Sequence, residues 1–257
     1  MVKFTIVIKH DGDECLPILK QGIHVWNKWR KDNPRATLIN FSGVNISGFD
    51  LRGTNLTGIN FNEANLSKTD LRNTELGLST FNLTDFSGSN LCKVNFQNSD
   101  VAFSHFSKAN LQEANFKGAI LRGSDFYNAN LYKTDFTGAD VERAHFSFAN
   151  LEEATFDSSK AWGIKLKNAR LIGADFVCAD IREADFSYVN FSNLYLNGAV
   201  LTSSKLYKAN LENACLRNAY LGNTDLSHAN FSNASLSLAR TSKADFFGSS
   251  VLVMLKQ

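Results

Sequence analysis

Residues 109–156 read ANLQE ANFKG AILRG SDFYN ANLYK TDFTG ADVER AHFSF ANLEE ATF, a five-residue unit repeated without a gap. Each unit opens on a small residue, usually continues with Asn or Asp, and carries Leu, Phe, Ile or Val at its third position. A fixed internal period sets an architecture before any local motif is considered. Five matches neither the 3.6-residue period of a helix nor the two-residue alternation of a strand, so the chain must bend once in every unit.

Outward from this stretch the phase holds from Phe41 to Val251. Taking every fifth residue gives 43 centres, of which 20 are Leu, 16 Phe, 3 Val and 2 Ile, with Ala161 and Thr241 as exceptions. Two residues before the centre, 35 of 43 positions are Ala, Ser or Thr. Two residues after it, 21 of 42 are Gly or Asn, the residues that most readily accept a positive φ, which places a tight turn, in many cases type II, at each unit boundary. Four such units make a square coil of twenty residues, and centres twenty apart should then stack. They sort into ladders of like on like: Phe86, Phe106, Phe126 and Phe146 on one face; Phe96, Phe116, Phe136, Phe156 and Phe176 opposite; and Leu91, Leu111, Leu131 and Leu151 between them. Nothing in a period of five forces that sorting, so it supports four sides independently.

The sequence resembles the pentapeptide-repeat family over residues 36–250, and the segment GIHVWNKWRKDNP (22–34) is similar to leaders before such repeats in bacterial proteins. The resemblance implies an all-β solenoid, a right-handed quadrilateral β-helix. Its length here predicts roughly ten to eleven coils, a rod about 50 Å long at about 4.8 Å per coil.

The ends depart from the repeat. Residues 1–35 are expected to form an N-terminal strand (VKFTIVI, 2–8) and a capping α-helix. Leu16, Leu19, Ile23 and Trp26 recur at helical spacing, Pro17 suits a first turn, and Asn33-Pro34 stops the pattern, which predicts one helix over 16–32 with Lys20, Lys28, Arg30 and Lys31 on its outer side. An exposed end of a solenoid core needs such a cover. Bulky Ile39, Val44, Phe49 and Ile59 in place of small residues predict a wider first coil beneath it. The apolar run from Val251 to Leu255 within 251–257 predicts a C-terminal cap or a homodimer contact, the latter as in some relatives of the resembled family. One local variation is expected at 158–170, where Ala161 is a shrunken centre and Ile164 an enlarged small position, with Trp162 pointing outwards.

Several chemistries are disfavoured. The chain of 257 residues has no apolar run near 18 residues and no signal-peptide pattern, which predicts a cytoplasmic protein with no membrane span. Cys15, Cys92, Cys178 and Cys215 have no metal-ligand or disulfide spacing, and Asp11, Asp13 and Glu14 lack the twelve-position ligand set of a calcium loop. His105, Asp125 and His145 share an outward column, but the two histidines lie two coils apart, about 10 Å, too far to share an ion. The Asn-x-Ser/Thr triplets are what the repeat spells. No catalytic constellation, cofactor site or metal site is predicted, and no insertion builds a pocket, so an enzyme is not expected.

The resembled family is best known for protecting DNA gyrase and topoisomerases through an acidic rod that mimics duplex DNA. Of 27 Lys/Arg and 25 Asp/Glu, 7 and 4 fall in residues 1–35, leaving 20 basic against 21 acidic residues in the rest. A neutral rod is a poor imitation of DNA, so this is the alternative reading.

The leading expectation is a non-enzymatic rod that binds a protein partner through large apolar residues facing out. Phe103, Tyr127, Phe148, Tyr188 and Tyr207 qualify, with Trp162 and the cations Lys165, Lys167, Lys205 and Lys208 beside them. Aromatics interspersed with cations suit a protein interface and, less well, nucleic acid. The competing reading is that these side chains only stack on one another, since Asp85, Asp125, Asp185 and Asp225 share the columns.

Overall fold

The computed structural model describes residues 12–34, 36 and 39–250. The expected strand at 2–8 and the end segment 251–257 lie outside them.

The backbone lattice repeats every twenty residues. Parallel bridges run from Asn40 with Asn60 to Asp225 with Asp245. Each unit contributes the same bonds: the Phe106 N–H donates to the Asp125 carbonyl at 2.7 Å, the Asp125 N–H to the Ser104 carbonyl at 2.9 Å, and the Ala109 N–H back to the Phe106 carbonyl at 3.0 Å to close the corner. Only one residue per unit pairs with each neighbouring coil, so the lattice consists of isolated bridges with no longer strand among the described residues. A bend in every unit leaves no room for more.

The inward positions follow the sequence. The centres from Phe61 to Leu226 are buried and make one continuous core with the small residues. Phe rings stack coil on coil, Phe106 on Phe126 at 4.8 Å and 2° and Phe116 on Phe136 at 5.3 Å and 4°. Across the interior they meet edge to face, Phe106 against Phe116 at 6.0 Å and 85°. Such pairs add about 0.5–1.5 kcal/mol beyond the area they bury. Many buried hydroxyls at small positions are satisfied by the coil before, as when Ser124 Oγ donates to the Val101 carbonyl at 2.8 Å and Thr134 Oγ1 to the Leu111 carbonyl at 2.9 Å. Others are satisfied by their own turn, as Ser89 Oγ to the Phe86 carbonyl at 2.6 Å, and Ser159 Oγ is buried without a partner. Ala161 and Ile164 are both buried, as the exchange of volume between them requires.

The N-terminal helix differs from expectation. Instead of one helix over 16–32 there are two, α1 (Gly12–Lys20) and α2 (Ile23–Asp32). Gly22 breaks them with φ at 105°, a backbone state that L side chains rarely adopt. The three-residue steps Leu16 to Leu19 and Ile23 to Trp26 survive the break, which is why the spacing reads as continuous. Pro17 sits in the interior of α1 and not in its first turn.

Helix α2 lies against the first coil. Trp26 is fully buried, its Nε1–H donates to the Asn55 carbonyl at 2.8 Å, and its ring meets Phe41 at 6.0 Å. Asn27 accepts from the Asn55 N–H at 3.0 Å and donates to the Gly53 carbonyl at 3.0 Å. Arg30, expected on the outer side, instead reaches down to the Thr57 carbonyl at 2.9 Å, because its long stem lets the guanidinium reach a carbonyl of the first coil. Ile39 and Ile59 are buried while Val44 and Phe49 are partly covered, so the first coil is bulkier than the rest where α2 meets it.

Candidate interaction surface on the second face

With the centre and the small residue turned inward, three positions per unit face out: the residue before the centre and two corner residues after it. The second corner residue has φ near +60° along the rod, which is why Gly and Asn are frequent there. Phe103, Phe148 and Tyr188 occupy that position with φ of 57°, 61° and 62°. A bulky side chain in the left-handed region costs about 1–2 kcal/mol, so the repeat does not favour these residues.

The corner residues of the second face, whose centres run from Ile46 to Phe246, assemble into one strip. Tyr127 meets Phe148 at 5.5 Å. Lys167 follows on the next coil. Then Tyr188 meets Tyr207 at 5.6 Å and 84°, Tyr207 meets His228 at 5.7 Å and 83°, and His228 meets Phe247 at 5.5 Å and 88°. The strip zigzags between first and second corner positions, stepping 21 and 19 residues in turn. Lys208 Nζ lies 5.1 Å from the centre of the Tyr207 ring and 5.8 Å from that of Tyr188. Tyr188 is 68% exposed and Phe247 73%, far above the core aromatics.

Sequence reasoning placed Tyr127, Phe148, Lys167, Tyr188, Tyr207 and Lys208 on this strip and missed His228 and Phe247. The alternating 19- and 21-residue steps would have found them. Two candidates lie elsewhere. Phe103 sits on the corner between the first and second faces with its ring over Gly123, where an added Cβ would come within 2.8 Å of it. Trp162 is on the first face, half-buried under Arg143, whose guanidinium stands 4.3 Å from its ring centre. Lys165 and Lys205 belong to the column before the centres, alternating with Asp185 and Asp225.

Between Phe148 and Tyr188 the strip crosses a depression of about 650 Å³ lined by Ser147, Lys165, Lys167, Asp185, Ser187 and Tyr188 among others. It coincides with a thinning of the lattice. Arg170 and Asn190 form no bridge, whereas Lys165 with Asp185 and Asp175 with Tyr195 remain bridged on either side. The N–H groups of Leu166, Asn168, Leu171, Gly173, Asp185, Asn190 and Tyr195 make no well-formed backbone hydrogen bond to the adjacent coil, although the equivalent bonds form in the coils on either side. Unequal filling explains it. One coil encloses Ala161, Leu166, Leu171 and Phe176; the next encloses Ile181, Phe186, Phe191 and Leu196, with Val189 and Leu194 at small positions. The lower coil is therefore the more bulkily filled of the two, although Ile164 offsets part of the difference at Ala161. The outer amide ladder breaks there too: Asn150 donates to Asn130 at 3.2 Å and Asn210 to Asn190 at 3.1 Å, but Arg170 stands between.

The model for pentapeptide repeats matches residues 39–77, 79–111, 109–147, 149–187, 184–223 and 214–250. The chain belongs to the pentapeptide-repeat family. Its fold is the right-handed quadrilateral β-helix of that family. No curated protein matches its sequence. Among solved structures it is similar to a trypsin-treated form of QnrB1, a plasmid-mediated fluoroquinolone resistance protein, with 18% identity over 81% of this chain and 91% of that one and a TM-score of 0.53. It is also similar to HetL, involved in heterocyst differentiation regulation in the cyanobacterium Nostoc, with 24% identity over 85% and 94% and a TM-score of 0.47. A pentapeptide repeat protein of the Arabidopsis thaliana thylakoid lumen shares 32% identity over 39% and 63%, with a TM-score of 0.29.

On this pentapeptide-repeat rod the acidic residues before the centres are engaged locally. Asp185 Oδ1 accepts the Ser187 N–H at 3.0 Å, and hydrogen bonds from Ser187 together with the charge of Lys205 hold the Asp185 carboxyl below its ordinary range. Asp225 and Asp245 accept the Ser227 and Phe247 N–H groups in the same way at 3.0 and 2.9 Å. His145 Nδ1 lies 3.2 Å from Asp125 Oδ1, and among the described residues no group of His, Cys, Asp and Glu is placed to hold a metal ion. All four cysteines are free. No helix of the described residues is long and apolar enough to cross a membrane.

Proposed function

We propose that this pentapeptide-repeat chain is a non-enzymatic, cytoplasmic rod of ten to eleven coils that presents the second-face strip to a protein partner, with α2 as the cap of its first coil. One observation carries the reading: Phe148, Tyr188 and His228 stand at second corner positions, which the repeat fills most often with Gly or Asn, and there they join first-corner rings into two runs, Tyr127 with Phe148 and Tyr188 to Phe247. Cost at a local position without a packing gain in the core is the mark of a site kept for something else. Likeness to solved structures at 18% identity transmits a fold and no role, so the surface of this chain has to supply the function. Protection of gyrase by DNA mimicry is disfavoured because the outward charges are mixed and paired, as in Lys117 with Asp135 at 3.0 Å and Lys133 with Glu153 at 3.3 Å.

The test is affinity capture with the parent and with Tyr127→Ser combined with Phe148→Asn, residues that the repeat itself uses at those positions. Loss of a partner that the parent retains supports the strip. Retention of every partner by the variant removes the strip as the interface, and inhibition of gyrase supercoiling by the parent would move the protein to the alternative class.

A further inference from the structure

Resting on the reading of the second face as a protein interface, we infer that the section from Tyr188 to Phe247 takes a polyproline II segment, a neutral proline-rich stretch of a partner chain. The argument is one of register. Tyr188 and His228 stand in one column two coils apart, as do Tyr207 and Phe247 in the neighbouring column. At about 4.8 Å per coil the rings of one column recur every 9.6 Å or so. A polyproline II helix turns once in three residues, about 9.3 Å, and therefore offers the same side to each ring of a column. A β-strand repeats a side every two residues, about 6.7 Å, and loses register at once. An α-helix rises about 5.4 Å per turn and drifts by more than half an ångström at every coil.

The chemistry agrees with the register. The rings meet edge to face at 84°, 83° and 88°, which gives a relief of alternating ring faces and edges instead of a flat stack. Aromatic-lined troughs are how proline-rich segments are held, because the segment is already ordered and loses little entropy on docking. Its carbonyls carry no internal hydrogen bonds, and the exposed Tyr188 hydroxyl is free to donate to one of them. Asp185, Asp225 and Asp245 run along one side of the strip, with Lys205 among them and Lys208 on the other. That row repels a phosphate backbone, so single-stranded nucleic acid fits less well.

Isothermal titration of the full chain with an acetylated Pro-Pro-Ala repeat of about nine residues, long enough for three turns, tests the inference. The controls are a Gly-Ser peptide of equal length, an amphipathic helical peptide and oligo-dT. The expected result is binding of the proline peptide alone, weakened at least about tenfold by Tyr188→Asn with Tyr207→Ser. Neighbouring coils carry Asn or Ser at the corresponding positions, so the variant keeps the fold, and an unchanged melting temperature verifies that. Equal binding of the Gly-Ser peptide, or preferential binding of the helix or of oligo-dT, overturns the inference. If no probe binds while Tyr127→Ser with Phe148→Asn still loses a captured partner, the polyproline inference fails and the protein-interface reading stands. If that variant also keeps every partner, both fail.

Discussion

Leu171 and Asn190 flank the one place in the described coils where the bridge between successive coils is missing, that of Arg170 with Asn190. The Leu151 N–H donates to the Arg170 carbonyl at 2.8 Å and the Phe191 N–H to the Asn210 carbonyl at 2.7 Å, yet the intervening bond from Leu171 to Asn190 is missing. Amides at this seam should exchange with solvent faster than those of adjacent coils, since opening there costs less than global unfolding. Hydrogen exchange is expected to show Leu166, Leu171 and Asn190 on the order of a hundredfold less protected than Leu151 or Leu211. Val189→Ala, which restores the small residue of the repeat, should recover part of the protection. Uniform protection along the rod would mean that the coils meet normally in solution.

The aromatic ladder makes a second prediction. Phe126 is fully buried between Phe106 at 4.8 Å and Phe146 at 4.9 Å. Phe126→Ala leaves a cavity that neighbouring coils cannot collapse into, because the lattice fixes their spacing. The expected cost is about 3–5 kcal/mol, read as a fall in denaturation midpoint.

The acid range offers a third. The Arg52 guanidinium donates to both carboxylate oxygens of Asp50, at 2.8 and 2.6 Å, and these bonds hold that carboxyl down at about 2. A carboxyl with a depressed folded pKa lends stability above its unfolded value of 3.8, and that stability is lost as pH falls towards 2. Both side chains are about half exposed, so the effect is small. Arg52→Ala should melt slightly lower than the parent above pH 4, with the gap closing as the pH approaches 2. A gap independent of pH would assign it to lost packing.

These cases divide what the sequence discloses from what it hides. The core ladders, from Phe86 to Leu151, are legible because burial admits one kind of residue and the period repeats the test at every coil. The site is half legible: Tyr127, Phe148, Tyr188 and Tyr207 stand out as large residues in outward positions, whereas His228 and Phe247 join them only once the stagger between two columns is known. The seam is harder still. Ala161 and Ile164 mark its upper coil, but the thinning depends on the summed volume of Phe186, Val189, Phe191 and Leu194 against the coil above, a comparison that no single position carries. The break at Gly22 hides for a different reason, since both helix fragments keep the same apolar spacing.

Helix α2 yields a fourth prediction. Trp26 fills the end of the first coil and bonds the Asn55 carbonyl, while Asn27 bonds the Asn55 N–H and the Gly53 carbonyl. Asn27→Ala leaves those coil groups to water and should cost about 1 kcal/mol. Trp26→Ala also empties the space over Phe41 and should cost about 3–5 kcal/mol. Circular dichroism melting ranks the two, and equal losses would mean that hydrogen bonding, not packing, holds the helix down.

Tyr188 separates a structural from a functional role within one residue. Its φ of 62° belongs to Gly or Asn, and its ring stands 68% exposed against Tyr207. Tyr188→Asn relieves the left-handed strain, about 1–2 kcal/mol, and gives up a ring pair of about 0.5–1.5 kcal/mol. Folding stability should therefore change by between about −0.5 and +1.5 kcal/mol, measured by chemical denaturation. A residue held for the fold would instead destabilise the rod when replaced. If Tyr188→Asn melts well below the parent, the ring is a staple between coils, and the strip loses its most exposed member as a contact for a partner.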